Sequence, residues 1–275
     1  MIYAVSIILK WPMIGGVMEI FGANAGIQLL MMVLLWIVSV IRRDASIIDP
    51  WWSIGFLLIT VNTVVMTGVT PGKIVLLTLV GIWAIRLWIH LLVRSIGKPE
   101  DVRYTAFRQK YGPDRYWWFS FFQVFLLQGT LVMIVSAPLQ VAASEIGTDD
   151  VSGFDIAGAL LFLIGFVFEA VGDWQLTKFR RDPSKKGQVL DTGLWGLTRH
   201  PNYFGDSVIW WGFWFCTLDL GLEGIATIYA PALMTFLLVR VSGVRMLDAQ
   251  LARTRAGYAE YMKRTPGFFP GVHWP

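Results

Sequence analysis

One cysteine, three histidines and few charges mark this chain of 275 residues by what it leaves out. The single Cys216 excludes an internal disulfide and any thiolate metal cluster, and reads as a small apolar filler in a helix. His90, His200 and His273 are too few and too scattered for the many-histidine di-iron site of a membrane oxygenase or desaturase, so no metal is expected. Charged residues make up 15% of the chain, where a soluble domain carries about a quarter. There is no Gly-x-Gly-x-x-Gly fingerprint. Gly68-Val-Thr-Pro-Gly-Lys73 only approximates a phosphate loop, because it is too short, lacks the final Ser or Thr and falls in a turn.

What is abundant is apolar: 55% of residues are hydrophobic and the mean hydropathy is +0.57. Apolar runs of about 20 residues, the length that crosses a bilayer, recur along the chain. They define an all-α, polytopic membrane protein with about seven transmembrane helices, near 23–41, 50–69, 73–93, 119–142, 153–172, 203–220 and 224–241. Basic connections follow the first, third, fifth and seventh helices: Arg42-Arg43, Arg94 to Arg115, Lys178 to Lys186, and Arg240 to Arg264. The opposite connections, Glu145 to Asp155 and Asp219 to Glu223, are acidic or neutral, with Lys73 the one basic exception. The positive-inside rule then places the C-terminus in the cytoplasm. It also accounts for the net charge of +4 without a nucleic-acid partner. Residues 1–22 are apolar but contain Lys10, Pro12 and Glu19, and lack the basic flank and cleavage site of a signal peptide. They read as a poor helix, a re-entrant piece or an interfacial one. The remainder, 23–275, reads as one domain with a C-terminal cap over 241–275. Most of the 14 Trp, Trp51-Trp52, Trp117-Trp118 and Trp210-Trp211 among them, read as interfacial anchors and packing.

The polar residues inside this apolar frame carry the chemistry. Gly193-Leu-Trp-Gly-Leu-Thr-Arg-His-Pro-Asn-Tyr-Phe-Gly-Asp206 sets Arg199, His200, Asn202, Tyr203 and Asp206 at the start of an apolar run. Polar groups there are costly and mark a task. Pro201 suits a first helical position, and the N–H groups and positive dipole end behind it suit an anionic cofactor. Asp173 and Arg180 are seven apart and share a face, as a carboxylate for a ribose and a guanidinium for phosphates would. The neighbouring Lys185 and Lys186 read as ordinary membrane-flanking charge. Trp83, Arg86 and His90 share one face of the third helix. Arg86 lies deep in its run and calls for an anion, either an acid such as Asp49, Asp173 or Asp206 or a ligand phosphate. Lys98 to Tyr104 is a polar segment that is either solvated or part of the site. Asp49, before Pro50, is either a helix cap or a protonated acid able to donate to a carbonyl. The tail from Arg245 to Pro266, with Tyr258 and Tyr261, is a basic amphipathic cap, either a membrane-surface helix or a lid over a nucleotide.

Leu194 to Asp206, followed by Gly257-Tyr-Ala-Glu-Tyr261 and Phe268-Phe-Pro270, resembles the steroid 5α-reductase superfamily, and within it a bacterial branch of membrane proteins. Membrane methyltransferases of the isoprenylcysteine carboxyl methyltransferase type share a similar Arg-His-Pro-x-Tyr segment. The superfamily resemblance implies seven transmembrane helices and an NADPH site. It implies cofactor-binding roles for Arg86, Asp173, Arg180, Asn202 and Asp206, with Arg103, Tyr104, His200 and Tyr258 as additions. It sets Asp49 at the position of a catalytic Glu, and Trp83 where the steroid enzymes have a Tyr. Trp has no ionisable proton, so Tyr203 or Tyr104 replaces that donor, or the substrate is not a steroid enone.

The expectation is therefore a multi-pass protein of a bacterial inner membrane. It takes NADPH from the cytoplasm and transfers hydride to the C=C bond of a lipophilic enone drawn from the membrane lipids, with Asp49 and Tyr203 as catalytic groups. It is taken as a monomer. The rivals are an S-adenosylmethionine-dependent membrane methyltransferase and a lipid-binding scaffold without a nucleotide.

Overall fold

The computed structural model describes residues 2–144, 151–241 and 243–272, with side chains from Gly16 onward except that of residue 113. The acidic connection at 145–150 and His273 lie outside the described residues. Those residues form helices and turns, with no strand among them. By their contacts the residues sort into two compact units, Met1–Val151 and Ser152–Pro275.

The first unit begins with α1 (Ile2–Arg42), which runs without a break through the segment set apart by the sequence. Beyond Gly16 it presents Leu30 and Leu34 outward, as a helix in lipid does. A single 3-10 turn, Ala45–Ile47, capped by the Asp44 side chain, leads into α2 (Ile48–Thr67). Pro71 opens α3 (Pro71–Ser95), and the Thr70 hydroxyl accepts from the Lys73 N–H as its cap. Two short helices follow, α4 (Val102–Tyr111) and α5 (Pro113–Ser120). A wider turn over Phe121–Leu126 then leads to α6 (Leu127–Val135) and α7 (Ala137–Ser144). The helix expected over 119–142 is thus interrupted at Ser136. Pro138 has no N–H to return to the carbonyl four residues back, so the ladder breaks there. Met32, Ile48, Tyr104, Tyr116, Val124 and Phe125 pack into a core between these elements.

The second unit opens with α8 (Gly153–Arg181), started by a capping box in which Ser152 and Asp155 satisfy each other's backbone N–H groups. It extends nine residues past its expected end at 172, so the polar stretch that includes Asp173 and Arg180 is helical. The partner of α8 is α9 (Pro201–Phe215). Gly158, Gly165 and Gly172 recur every seventh residue on α8 and face Gly212, Gly205 and Pro201 of α9. A Cβ on Gly165 would stand 2.5 Å from the Gly205 carbonyl oxygen and 2.7 Å from the Ile209 nitrogen. Only glycine allows backbones this close. After α9 come α10 (Leu222–Ala226), α11 (Tyr229–Phe236), a wider turn over Leu237–Val241, α12 (Val244–Thr254) and α13 (Tyr258–Arg264). The helix expected over 224–241 breaks ahead of Pro231 for the reason that applies at Pro138.

Six stretches of described residues are long and apolar enough to cross a bilayer: Gly16–Arg42, Ala45–Thr67, Pro71–Ser95, Asp114–Val135, Gly153–Arg181 and Leu222–Thr254. Against the seven expected, the shortfall is α9. Its 15 residues make about 22 Å of helix, and the 3-10 turn Leu218–Leu220 that follows extends it toward the ~30 Å of the hydrocarbon layer. The chain is a polytopic, all-helical membrane protein.

Candidate functional site

The residues singled out by the sequence divide between the units. Asp49, Arg86, Arg103 and Tyr104 belong to the first. Asp173, Arg180, His200, Asn202, Tyr203, Asp206 and Tyr258 belong to the second.

In the first unit three of them meet. Asp101 caps α4 by accepting from the Arg103 N–H, which fixes the start of that helix against α2. The Arg103 guanidinium then donates to Asp101 Oδ1 at 2.9 Å and to Asp49 Oδ2 at 2.6 Å. The Tyr104 hydroxyl donates to Asp49 Oδ1 at 2.6 Å and accepts from Gln128 Nε2 at 3.1 Å. Glu100 accepts two hydrogen bonds from Arg108 and one from the Ala45 N–H, while Lys98 and Val102 of the same segment are exposed. Burial, reinforced by the charge of Asp49, pushes the Tyr104 phenol well above its ordinary range. Burial works against the charge of Arg103, but Asp49 and Asp101 more than offset it and hold the proton on the guanidinium. Both Asp49 oxygens accept, one from Arg103 and one from Tyr104. On α3, Trp83 is wholly buried beside Phe56, with Arg86 and His90 half-buried on the same face.

In the second unit the 193–200 loop is stitched at both ends. Trp195 Nε1 donates to the Gly172 carbonyl at 3.1 Å, and Gln175 accepts from the Leu194 N–H. Pro201 takes the first position of α9, as its fixed φ predicts. Asn202 Nδ2 donates to Asp173 Oδ1 at 3.0 Å, joining two expected site residues across the α8–α9 seam. Asp206 stands one turn beyond Asn202. Glu169, one turn before Asp173 on α8 and 3% exposed, adds a third carboxylate to this seam. Sequence reasoning passed over Glu169, although an acid near the end of the 156–171 apolar run was itself a signal.

His200 and Tyr258 meet at a shared carboxylate, Asp248. Asp248 Oδ1 faces His200 Nε2 at 3.0 Å and accepts from the Tyr258 hydroxyl at 2.6 Å. Arg199 Nη2 donates to Asp248 Oδ2 at 2.7 Å, and Arg199 Nη1 to the Met262 and Thr265 carbonyls. Backbone and hydroxyl bonds from Arg199 to Pro266 and from Thr198 to Phe268 continue the seam. The tail is therefore clamped onto the residues that start α9, and Asp248 is the clamp's centre. Burial, aided by the hydrogen bond to Asp248, holds the Tyr258 phenol far above its ordinary range, so it remains a neutral donor. The Tyr203 ring stacks on His200, with centroids 5.6 Å apart.

Arg180 reaches a separate feature, a cleft of about 290 Å³ shared with Arg181, Lys185, Lys186 and Arg255. Guanidinium and ammonium groups around an open cleft are a phosphate-binding set. No group of three or more His, Cys, Asp or Glu side chains among the described residues is placed to hold a metal ion.

A probable O-methyltransferase of Ustilaginoidea virens is 28% identical over 106 residues, 38% of this chain and 35% of its own length. An uncharacterised protein of Schizosaccharomyces pombe is 22% identical over 267 residues, 87% of this chain and 77% of its own. A Δ(14)-sterol reductase of Mus musculus is 30% identical over 122 residues, 39% of this chain and 28% of its own. The chain thus spans about a third of the methyltransferase and of the reductase. No solved structure matches it. The family described as proteins of unknown function, DUF1295, matches residues 35–265, most of the chain, and the protein belongs to that family within the steroid 5α-reductase-like superfamily.

Proposed function

We propose that this protein is a membrane reductase that uses NADPH to reduce the C=C bond of a lipophilic enone. The observation that carries the reading is the Asp173–Asn202 pair at the α8–α9 seam, with Arg180 two turns along the same helix. A carboxylate and an amide suit ribose hydroxyls, and a guanidinium suits a diphosphate, so the donor set fits a dinucleotide. Similarity to a sterol reductase over 39% of the chain supports the same class of reaction. NADPH, when bound, supplies the hydride.

The protein's own share is to hold and to polarise. Asp173, Asn202 and Arg180 hold the cofactor. The Arg199–Asp248–His200–Tyr258 cluster fixes the start of α9, and with it Asn202. The Tyr104 hydroxyl donates to Asp49 across 2.6 Å. In the proposed reaction that hydroxyl turns from Asp49 to the substrate carbonyl and stabilises the charge that develops on its oxygen. Arg103 keeps Asp49 in place. The basic segments after α3, α8 and α11 set the cofactor side, and the C-terminus, in the cytoplasm.

Thermal stability of the detergent-purified protein with NADPH, NADH and S-adenosylmethionine tests the reading. A ligand specific to the folded state stabilises it by about 2.7 kcal/mol at a hundred times its dissociation constant. The expected result is a rise in Tm with NADPH that Arg180→Ala abolishes. The similarity to a probable O-methyltransferase favours a second reading. A rise with S-adenosylmethionine alone would establish that one and sink the reductase.

A further inference from the structure

The 29 residues of α8 make a helix of about 43 Å, so about 13 Å of it projects beyond a ~30 Å hydrocarbon layer. One face of α8 carries Leu160, Leu163, Val167 and Trp174, each more than half exposed. At ~100° per residue these four fall on one stripe, and Lys178 and Arg181 continue it toward the C-terminal end. Asp173 and Arg180 fall about a third of a turn away from it. Lys178 Nζ lies 5.3 Å from the centre of the Trp174 ring, a pairing suited to the depth of lipid headgroups. Where the stripe ends the chain folds back. Asp182 caps a 3-10 turn over Pro183–Lys185, and Gly187, at φ +87°, reverses direction in a conformation that a side chain would strain.

The cleft formed there brings Arg181, Lys185 and Lys186 together with Arg255, which arrives from the end of α12. These are four cations against one carboxylate, Asp182. That carboxylate is already engaged by the Ser184 N–H and hydroxyl and by Lys185. Charges this close lie within the ~8 Å Debye length at physiological salt and repel one another until an anion joins them.

We propose that this cleft binds the phosphate of an acidic phospholipid from the leaflet at the C-terminal end of α8, with the acyl chains along the Leu160–Trp174 stripe. A free phosphate has the same charge chemistry. Only a lipid also covers the apolar stripe that leads into the cations at headgroup depth. The stripe lies about a third of a turn around α8 from Asp173, and the cleft meets the proposed cofactor residues only at Arg180, at its border.

Native mass spectrometry of the full chain in detergent, titrated with phosphatidylglycerol or phosphatidylcholine, tests the proposal. Phosphatidylglycerol is expected to be retained over phosphatidylcholine. The triple variant Lys185→Gln, Lys186→Gln, Arg255→Gln is expected to weaken that retention roughly fivefold per cation, about a hundredfold in all. Lys185→Arg with Lys186→Arg is expected to preserve it, which separates charge from folding. NADPH is expected to leave retention unchanged. Equal retention of the two lipids, or an unaffected triple variant, would overturn the proposal. So would displacement of the lipid by inorganic phosphate or NADPH, which would assign the cleft to a soluble phosphate.

Discussion

Asp248 receives hydrogen bonds from three side chains, Arg199, His200 and Tyr258, and is 6% exposed. A buried carboxylate with one guanidinium partner depends on that partner, and the partner depends on it. Asp248→Asn keeps the shape but removes the charge and sets an NH₂ donor among other donors. It is expected to cost about 3–5 kcal/mol, the cost of leaving a buried charge uncompensated. Tyr258→Phe, which removes one charge-assisted hydrogen bond, is expected to cost about 1.5–3 kcal/mol. Thermal unfolding of the two variants, with limited proteolysis of the 265–272 segment, checks both; an Asp248→Asn protein that melts like the parent would refute the clamp. The motif around Arg199 and His200 stood out as polar residues at an apolar boundary. Their partner did not, because a pairing across 49 residues leaves no spacing to read, and an Asp within a basic amphipathic helix looks like a solvated charge. Asp49, Arg103 and Tyr104 show the same division. The residues were legible as candidates, while the hydrogen bonds that join them across more than fifty positions were not.

The α8–α9 seam sets the geometry of the second unit. Along it backbone, not flexible side chain, blocks any added atom. Gly165→Ala would press its Cβ on a carbonyl oxygen and an amide nitrogen that are held in two helices. The expected result is a loss of about 1–3 kcal/mol, the usual cost of overpacking, read as a lower Tm. Gly81→Ala on α3 is the contrasting change, since its Cβ would meet only Leu57 Cδ1 at 4.0 Å. There the helix propensity of alanine is expected to leave stability unchanged or raised by about 0.5–1 kcal/mol. Equal effects of the two substitutions would contradict the account of the seam. Hydropathy found the spans over 23–41, 50–69, 73–93 and 153–172 because each is both apolar and continuous in its backbone bonding. It missed the breaks at Ser136 and ahead of Pro231, since a window average does not register one missing N–H. It also ended α8 too early. Helical bonding runs on through Asp173 and Arg180 regardless of their polarity, and the resulting two and a half turns carry both Asp173 and Arg180 and one wall of the cation cleft.

For the whole molecule, the tyrosines give a pH dependence with a definite sign. Burial holds Tyr104, Tyr258 and Tyr261 well above the ordinary phenol value, with Asp49 and Asp248 adding to the shift at the first two. In the unfolded chain these phenols lose their protons near pH 10. In the folded chain they keep them to higher pH. Above pH 10 the unfolded state therefore binds fewer protons than the folded state, and stability falls as pH rises. The contribution is fully present below about pH 10 and is lost as pH climbs through the folded-state values. The three phenols lie in both units, two of them in the clamp on the start of α9, so alkaline loss reaches the whole chain. The expected observation is a flat Tm from neutral pH to about 10, then a steep decline. In Tyr258→Phe and Tyr261→Phe the starting Tm is lower, but the decline is shallower, because Phe has no proton to lose. Lysines, which titrate in the same range, are present in parent and variants alike and cancel from the comparison. A decline equally steep in the double variant would assign the alkaline transition to groups other than the buried phenols, and with it remove the claim that they hold their protons in the folded state.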